Sequence, residues 1–138
     1  MYTIIEITKK LRNAGLRPTR QRVKISEVLF NSEKTFHFTI NQLKKILENK
    51  KVEKISQATL YNTVQAFKKK GYLKEIPINS EQSYFDTNTS HHHHFYNENN
   101  KELIDLDDED VQPIIINKKI PGKKIKSVEV LVLSLIHI

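Results

Sequence analysis

The chain has no cysteine among its 138 residues. Disulfides, thiolate zinc sites and thiol redox switches are thereby excluded, and any metal chemistry must rest on His, Asp and Glu. Long apolar runs are missing as well. The N-terminal stretch MYTIIEITKKLRNAG carries charges inside its apolar pattern, unlike the uninterrupted apolar segment of a secretion signal, and no stretch approaches the length of a membrane span. A cytoplasmic protein with no membrane partner is expected. Acidic residues are scarce in the first part of the chain: residues 1–80 hold 17 Lys/Arg against 6 Asp/Glu, net +11, while residues 81–138 hold 6 against 10, net −4. A basic part beside an acidic one suits nucleic-acid binding, because neutralising phosphates supplies most of the sequence-independent affinity. The alternative is a basic surface kept for solubility.

A chain of this length makes one ordinary domain or two small ones, and a lobe of about 60 residues is marginal alone, which favours oligomerisation. From Thr3, the residues Ile4, Ile5, Ile7 and Leu11 follow helical spacing until Gly15. Pro18-Thr19 opens a second helical pattern that stops at Asn31-Ser32, with the proline read as lying in the first turn. After an aromatic loop, Phe36-His37-Phe38, Thr39 is the expected cap of a third helix carrying Ile40, Leu43, Ile46 and Leu47 on one face. Ser56 caps a fourth, in which Leu60, Val64 and Phe67 share a face and Tyr61, Asn62 and Gln65 are turned from it, until Gly71. Two strands, Tyr72 to Ile78 and Ser83 to Phe85, follow around a turn near Asn79-Ser80-Glu81. Helices followed by a hairpin spell a winged helix.

Thr87-Asn88-Thr89-Ser90 reads as a hinge. Beyond it the pattern predicts strands at His92 to Tyr96, Glu102 to Leu106 and Lys126 to Leu133, and a helix at Asp107 to Asn117 with an acidic first turn. So small a sheet leaves exposed edges that a second copy would cover. The expected fold is therefore α+β: an N-terminal winged-helix DNA-binding domain over residues 1–86, then a small α/β dimerisation domain over 87–132. Residues 133–138, Leu133-Ser-Leu-Ile-His-Ile138, read like the translation of a sequencing-library adapter and are expected to be a non-native tail, so His137 is set aside.

A recognition helix presents small or hydrogen-bonding side chains to base edges from its N-terminal turns. Ser56, Gln57, Thr59, Tyr61 and Asn62 fit, with Gln57 and Asn62 suited to adenine and Thr59 or Tyr61 to a thymine methyl. Lys68, Lys69 and Lys70 are expected to reach phosphates, and Arg17, Arg20 and Arg22 the backbone or minor groove. A polar helix face that is merely solvated is the blander reading; the hairpin and the +11 charge argue against it. His91 to His94 form an unbroken run. Side chains alternate across a strand, so His92 and His94 share one face and His91 and His93 the other. Imidazole with carboxylate suits zinc or iron, and His37, Asp86 and Asp105 are the expected further donors. Adventitious metal uptake and a tag remnant are the competing explanations of such a run.

Gly15-Leu-Arg-Pro-Thr-Arg-Gln-Arg22, the helix core Ala58-Thr-Leu-Tyr-Asn-Thr63, and Tyr84-Phe-Asp-Thr-Asn88 followed by His91 to Tyr96 resemble the ferric uptake regulator (Fur) superfamily over about residues 3 to 132. Within it the chain looks most like the iron response regulator branch, Irr, of alphaproteobacteria, on its lack of cysteine, its histidine run followed by two aromatics, and Glu102-Leu-Ile-Asp105. The resemblance implies a homodimer on a partly palindromic operator in double-stranded DNA. It places the regulatory metal on His37, Asp86, His92, His94 and Asp105, and the branch's haem on His92, His93 and His94. A second family site near His91 and His93 would take its downstream acid at a position occupied here by Gln112. Asn97 and Asn100 stand where the structural zinc site has cysteines, so that site is absent.

The resemblance further implies that haem or a divalent metal shifts the arrangement of the two lobes through differential affinity. The expected function is a non-enzymatic DNA-binding regulator that responds to iron status through haem or metal and controls iron homeostasis and haem synthesis. A Fur-like repressor using Fe²⁺, Mn²⁺ or Zn²⁺ directly is the alternative. A histidine-metal hydrolase or oxygenase would need a poised general base beside an open metal position, and no such motif occurs. A non-specific architectural binder would not distinguish operator from random DNA.

Overall fold

Thr3 and Glu6 close a reciprocal capping box, with the Thr3 hydroxyl accepting from the Glu6 N–H at 3.2 Å and Glu6 accepting from the Thr3 N–H at 3.3 Å. Helix α1 (Ile4–Asn13) starts there and buries Ile7 and Leu11. The computed structural model describes residues 1–52 and 54–135, and it separates into two units, Met1–Thr89 and Ser90–Ile138. That division lies three residues beyond the expected one.

Thr19 caps α2 (Arg20–Phe30), a second capping box between Thr39 and Gln42 opens α3 (Ile40–Asn49), and Ser56 caps α4 (Gln57–Lys70). Pro18 stands one residue before the cap of α2, not inside its first turn as expected. At the end of α4, Gly71 adopts φ +91, its N–H bonds the Lys68 carbonyl at 3.0 Å, and the Tyr72 N–H bonds the Phe67 carbonyl at 2.9 Å. This paired closure needs a left-handed residue, which glycine supplies without a Cβ penalty. The buried stripes of the four helices meet in one core built around Ile7, Leu11, Leu29, Leu43, Leu60 and Phe67.

The sheet of the first unit contains β1 (His37–Phe38), β2 (Lys74–Pro77) and β3 (Ser83–Asp86), antiparallel in the order β1-β3-β2. The wing is thus the β2/β3 hairpin. Tyr72 and Leu73 do not belong to it, because the Tyr72 amide is spent on closing α4. The segment read as an aromatic loop supplies β1, in register with β3 at His37↔Asp86 and Phe38↔Phe85. Two residues carry no alternation, and only the arrival of β3 makes them a strand.

In the second unit β4 (His93–Asn97) pairs antiparallel with β5 (Glu102–Leu106) and parallel with β6 (Leu131–Ser134). The β4–β5 turn is locally encoded: Asn97 accepts from the Asn99 N–H at 3.0 Å and Asn100 from the Glu102 N–H at 3.0 Å. The helix expected over Asp107 to Asn117 is replaced by one 3₁₀ turn, Asp108–Asp110. Pro113 lacks the N–H and clashes with the preceding turn. The β-branched run Ile114-Ile115-Ile116, exposed throughout, finds no partner surface that would stabilise a helical face. β6 starts at Leu131 and not at Lys126, and it includes Leu133 and Ser134, which pair with Tyr96 and Asn97. Leu135 is exposed, and the last three residues of the suspected tail, His137 among them, lie outside the described residues. Among those residues no helix is long and apolar enough to cross a membrane.

Candidate functional site

In the first unit, α4 separates two faces. Leu60, Thr63, Val64 and Phe67 are buried, whereas Gln57, Tyr61 and Asn62 are exposed, Tyr61 by 52%. Ser56 and Thr59, expected to meet bases, are tied into the cap: the Ser56 hydroxyl accepts from the Thr59 N–H at 3.1 Å and donates to the Thr59 hydroxyl at 2.9 Å. Arg17 and Arg20 are exposed at the start of α2, and Arg22 donates to the Arg17 carbonyl at 3.1 Å.

Lys68, expected to reach phosphate, is paired with the wing. Its ammonium lies 2.6 Å from Glu75 on β2, and the Ser83 hydroxyl on β3 donates to the same carboxylate at 2.6 Å. Burial pushes the Glu75 carboxyl up, but the hydrogen bonds from Lys68 and Ser83 and the Lys68 charge outweigh it and hold it below the ordinary range.

The second unit gathers the histidines as strand alternation requires. The rings of His92 and His94 are tilted at 57° with centroids 4.4 Å apart, and His91 meets His93 edge-on at 5.2 Å. Register places His94 opposite Asp105. Asp105 Oδ1 lies 3.5 Å from His92 Nε2 and 3.3 Å from His94 Nε2. Donors held at about 2.1 Å from a common ion at tetrahedral or octahedral angles are about 3.0 to 3.5 Å from one another, so these three residues fit a divalent metal. The tautomer also fits. His92 Nδ1 is 2.7 Å from the Ser90 carbonyl, which can only accept, so the proton is on Nδ1 and the Nε2 lone pair faces Asp105. Both imidazoles are buried, and Tyr96 with Leu103 continues the same sheet face as apolar core.

The haem triplet does not share a surface: His93 points away from His92 and His94. His37 and Asp86 are placed together within the first unit as register partners of β1 and β3, so they share a sheet face. Asp86 is buried and accepts from the Asn88 N–H at 2.8 Å. Sequence reasoning missed the Ser90 carbonyl that orients His92, and also Asp108, whose carboxylate lies 3.9 Å from His91 Nδ1. The acidic run beginning at Asp107 was the available signal for the second of these.

Comparison with known proteins then fixes the lineage. A model described as the ferric uptake regulator family matches residues 13–133. This chain belongs to the ferric uptake regulator family. Members of this family are transcriptional regulators, not enzymes, and are metal-responsive. The peroxide operon regulator of Bacillus subtilis (strain 168) is 37% identical over 105 residues, 76% of this chain and 70% of that protein. The peroxide-responsive repressor PerR of Staphylococcus epidermidis is 36% identical over 88 residues, 64% of this chain and 57% of its own length.

The Fur fold is seen in the ferric uptake regulator of Vibrio cholerae, with a TM-score of 0.70 at 23% identity, covering 94% of this chain and 98% of that one. The Pseudomonas aeruginosa ferric uptake regulator with manganese gives 0.68 at 22%, over 94% and 96%. The fold is therefore an N-terminal winged helix followed by the C-terminal domain through which Fur proteins dimerise.

Proposed function

We propose that this chain is a cytoplasmic, homodimeric Fur repressor whose grip on double-stranded DNA depends on a divalent metal, Fe²⁺ or Mn²⁺ before Zn²⁺, and is lost on exposure to peroxide. The observation that carries this reading is the triangle of His92, His94 and Asp105, whose spacing and tautomer suit a metal, in a chain whose reading helix presents Gln57, Tyr61 and Asn62. His37 and Asp86 are assigned to the same ion on the family resemblance alone, and Gln57, Tyr61, Asn62, Arg17 and Arg20 to a partly palindromic operator.

The bound ion supplies positive charge and, as Fe²⁺, a one-electron reductant. The chain's own residues do the rest: Ser90 fixes the His92 tautomer, and Asp105 offsets the cation's charge. A ligand tightens DNA binding only to the extent that it prefers the DNA-competent arrangement. The peroxide response is carried over from the names of the relatives. Haem on His92, His93 and His94 is the weaker reading, since the triplet is divided between two faces and the relatives found are named for peroxide, not for the Irr branch.

The test selects DNA from a random pool with the Mn²⁺-loaded protein and measures affinity by fluorescence anisotropy at fixed salt. Metal is expected to tighten specific binding at least about tenfold, a modest allosteric coupling. Peroxide should abolish binding by the Fe²⁺ form and spare the Mn²⁺ form. Affinity indifferent to chelator, or a response to haem at low micromolar concentration with none to Mn²⁺, would overturn the proposal.

A further inference from the structure

The second face of the histidine run is built differently from the first. His91 Nε2 lies 2.9 Å from the Val128 carbonyl, and the Val130 N–H donates to His93 Nδ1 at 2.9 Å. A carbonyl only accepts, so His91 carries its proton on Nε2 and keeps a lone pair on Nδ1, the atom facing Asp108. An amide N–H only donates, so His93 spends its Nδ1 lone pair on Val130, and the neutral ring carries its proton on Nε2. His91, His93 and Asp108 bring potential ligand atoms within 4.8 Å of one another and border a cavity of about 430 Å³ with Val111, Gln112 and Val128. His93 nevertheless has no lone pair to offer. A cation at Nδ1 displaces the Val130 N–H. A cation at Nε2 drives the ring proton to Nδ1, where it meets that N–H donor against donor.

We propose that His93 is a latch on the segment 128–130, and that coordination of a divalent cation by His91, His93 and Asp108 and seating of this segment against β4 exclude each other. The segment leads directly into β6, and both polar groups of Val130 are held by neighbouring residues of β4: its N–H by the His93 ring and its carbonyl by the His94 N–H at 3.0 Å. β6 is otherwise attached by its parallel pairing with β4 and by the Glu98 N–H on the Ser134 carbonyl at 3.0 Å. It is a four-residue edge strand with Leu133 half exposed, so losing the latch frees the start of the strand that completes the sheet. His93 is in this sense a positioning residue, and the second face of the run is a cation-sensitive clasp. This inference does not depend on the proposed DNA function.

The test is hydrogen exchange at residues 128–134 of the full chain during a Zn²⁺ titration, with bound zinc counted in parallel. The first equivalent, taken by His92, His94 and Asp105, is expected to leave exchange unchanged. A second should speed it about five- to tenfold, the effect of one lost hydrogen bond. The variant Asp108→Asn keeps both the His91–Val128 and the His93–Val130 bonds but removes the carboxylate donor, and it should stay slow at the same zinc. His93→Ala should exchange fast without zinc and respond no further. A second zinc bound with Val130 exchange unchanged refutes the latch, and so does a speed-up that persists in Asp108→Asn. No second zinc at millimolar concentration also refutes it, since the clasp would then be permanent.

Discussion

Phe67 and Tyr61 lie six residues apart on α4, and truncating each to alanine should give opposite phenotypes. The Phe67 ring is fully buried, packing edge-on against Phe30 with centroids 5.1 Å apart and at a tilt against Tyr72 at 6.0 Å. Removing a buried phenylalanine costs about 3–5 kcal/mol, from lost transfer energy and the cavity left behind. A unit of 89 residues has roughly 4–13 kcal/mol of total stability, at about 0.05–0.15 kcal/mol per residue. Phe67→Ala therefore removes roughly a quarter or more of the whole. At about 4–8 °C per kcal/mol for a domain this size, Tm falls by at least about 12 °C.

Tyr61 is half exposed and should cost less than about 0.5 kcal/mol of stability, while weakening specific DNA binding by roughly 1–3 kcal/mol, about five- to hundredfold. Thermal denaturation and anisotropy on both variants decide the matter. A Tm drop of similar size in the two, or unchanged DNA affinity in Tyr61→Ala, would refute the assignment of faces.

Gly71→Ala should destabilise by about 1–2 kcal/mol through backbone conformation alone, because φ is +91 and a Cβ there meets no atom within 4 Å; a neutral result in urea titration would contradict the helix closure. The Lys10 ammonium lies 3.8 Å from the Tyr72 centroid, 4.6 Å from Phe30 and 5.1 Å from Tyr2. Lys10→Met should lose about 1–2 kcal/mol, the scale of a partly desolvated cation–π contact, whereas Lys9→Met should be silent. Glu75 is held below its ordinary value of 4.5, so its contribution is complete above that value and disappears as pH falls through the lower folded value. With Lys68 partly exposed to solvent, that contribution is under about 1 kcal/mol. The electrostatic part of the stability difference between wild type and Glu75→Gln should therefore be flat from about pH 6 to 8 and shrink as the pH falls below 4.5; a constant difference would remove Glu75 as the titrating group.

What was legible in the sequence was local. Caps at Thr39 and Ser56, helix starts near Thr3 and Thr19, stops at Gly15 and Gly71, and the buried stripe Leu60-Val64-Phe67 are each decided by residues within one or two turns, so reading them needs no fold. The split of His91 to His94 into two faces is likewise fixed by strand geometry alone. The helix drawn over Asp107 to Asn117 failed because its acidic first turn was weighted above Pro113 and the three isoleucines behind it.

Other features belong to the tertiary structure. His37 becomes a strand residue only when β3 arrives to pair with it, and Lys68 finds its partner only because the wing brings Glu75 alongside. The histidines themselves show the division most sharply. Their residue type and alternation made a metal site readable, but which nitrogen carries a lone pair is set by the carbonyls of Ser90 and Val128 and the amide of Val130. Two of those three partners lie more than thirty residues away, and only the folded sheet decides which ring nitrogens are committed to the backbone.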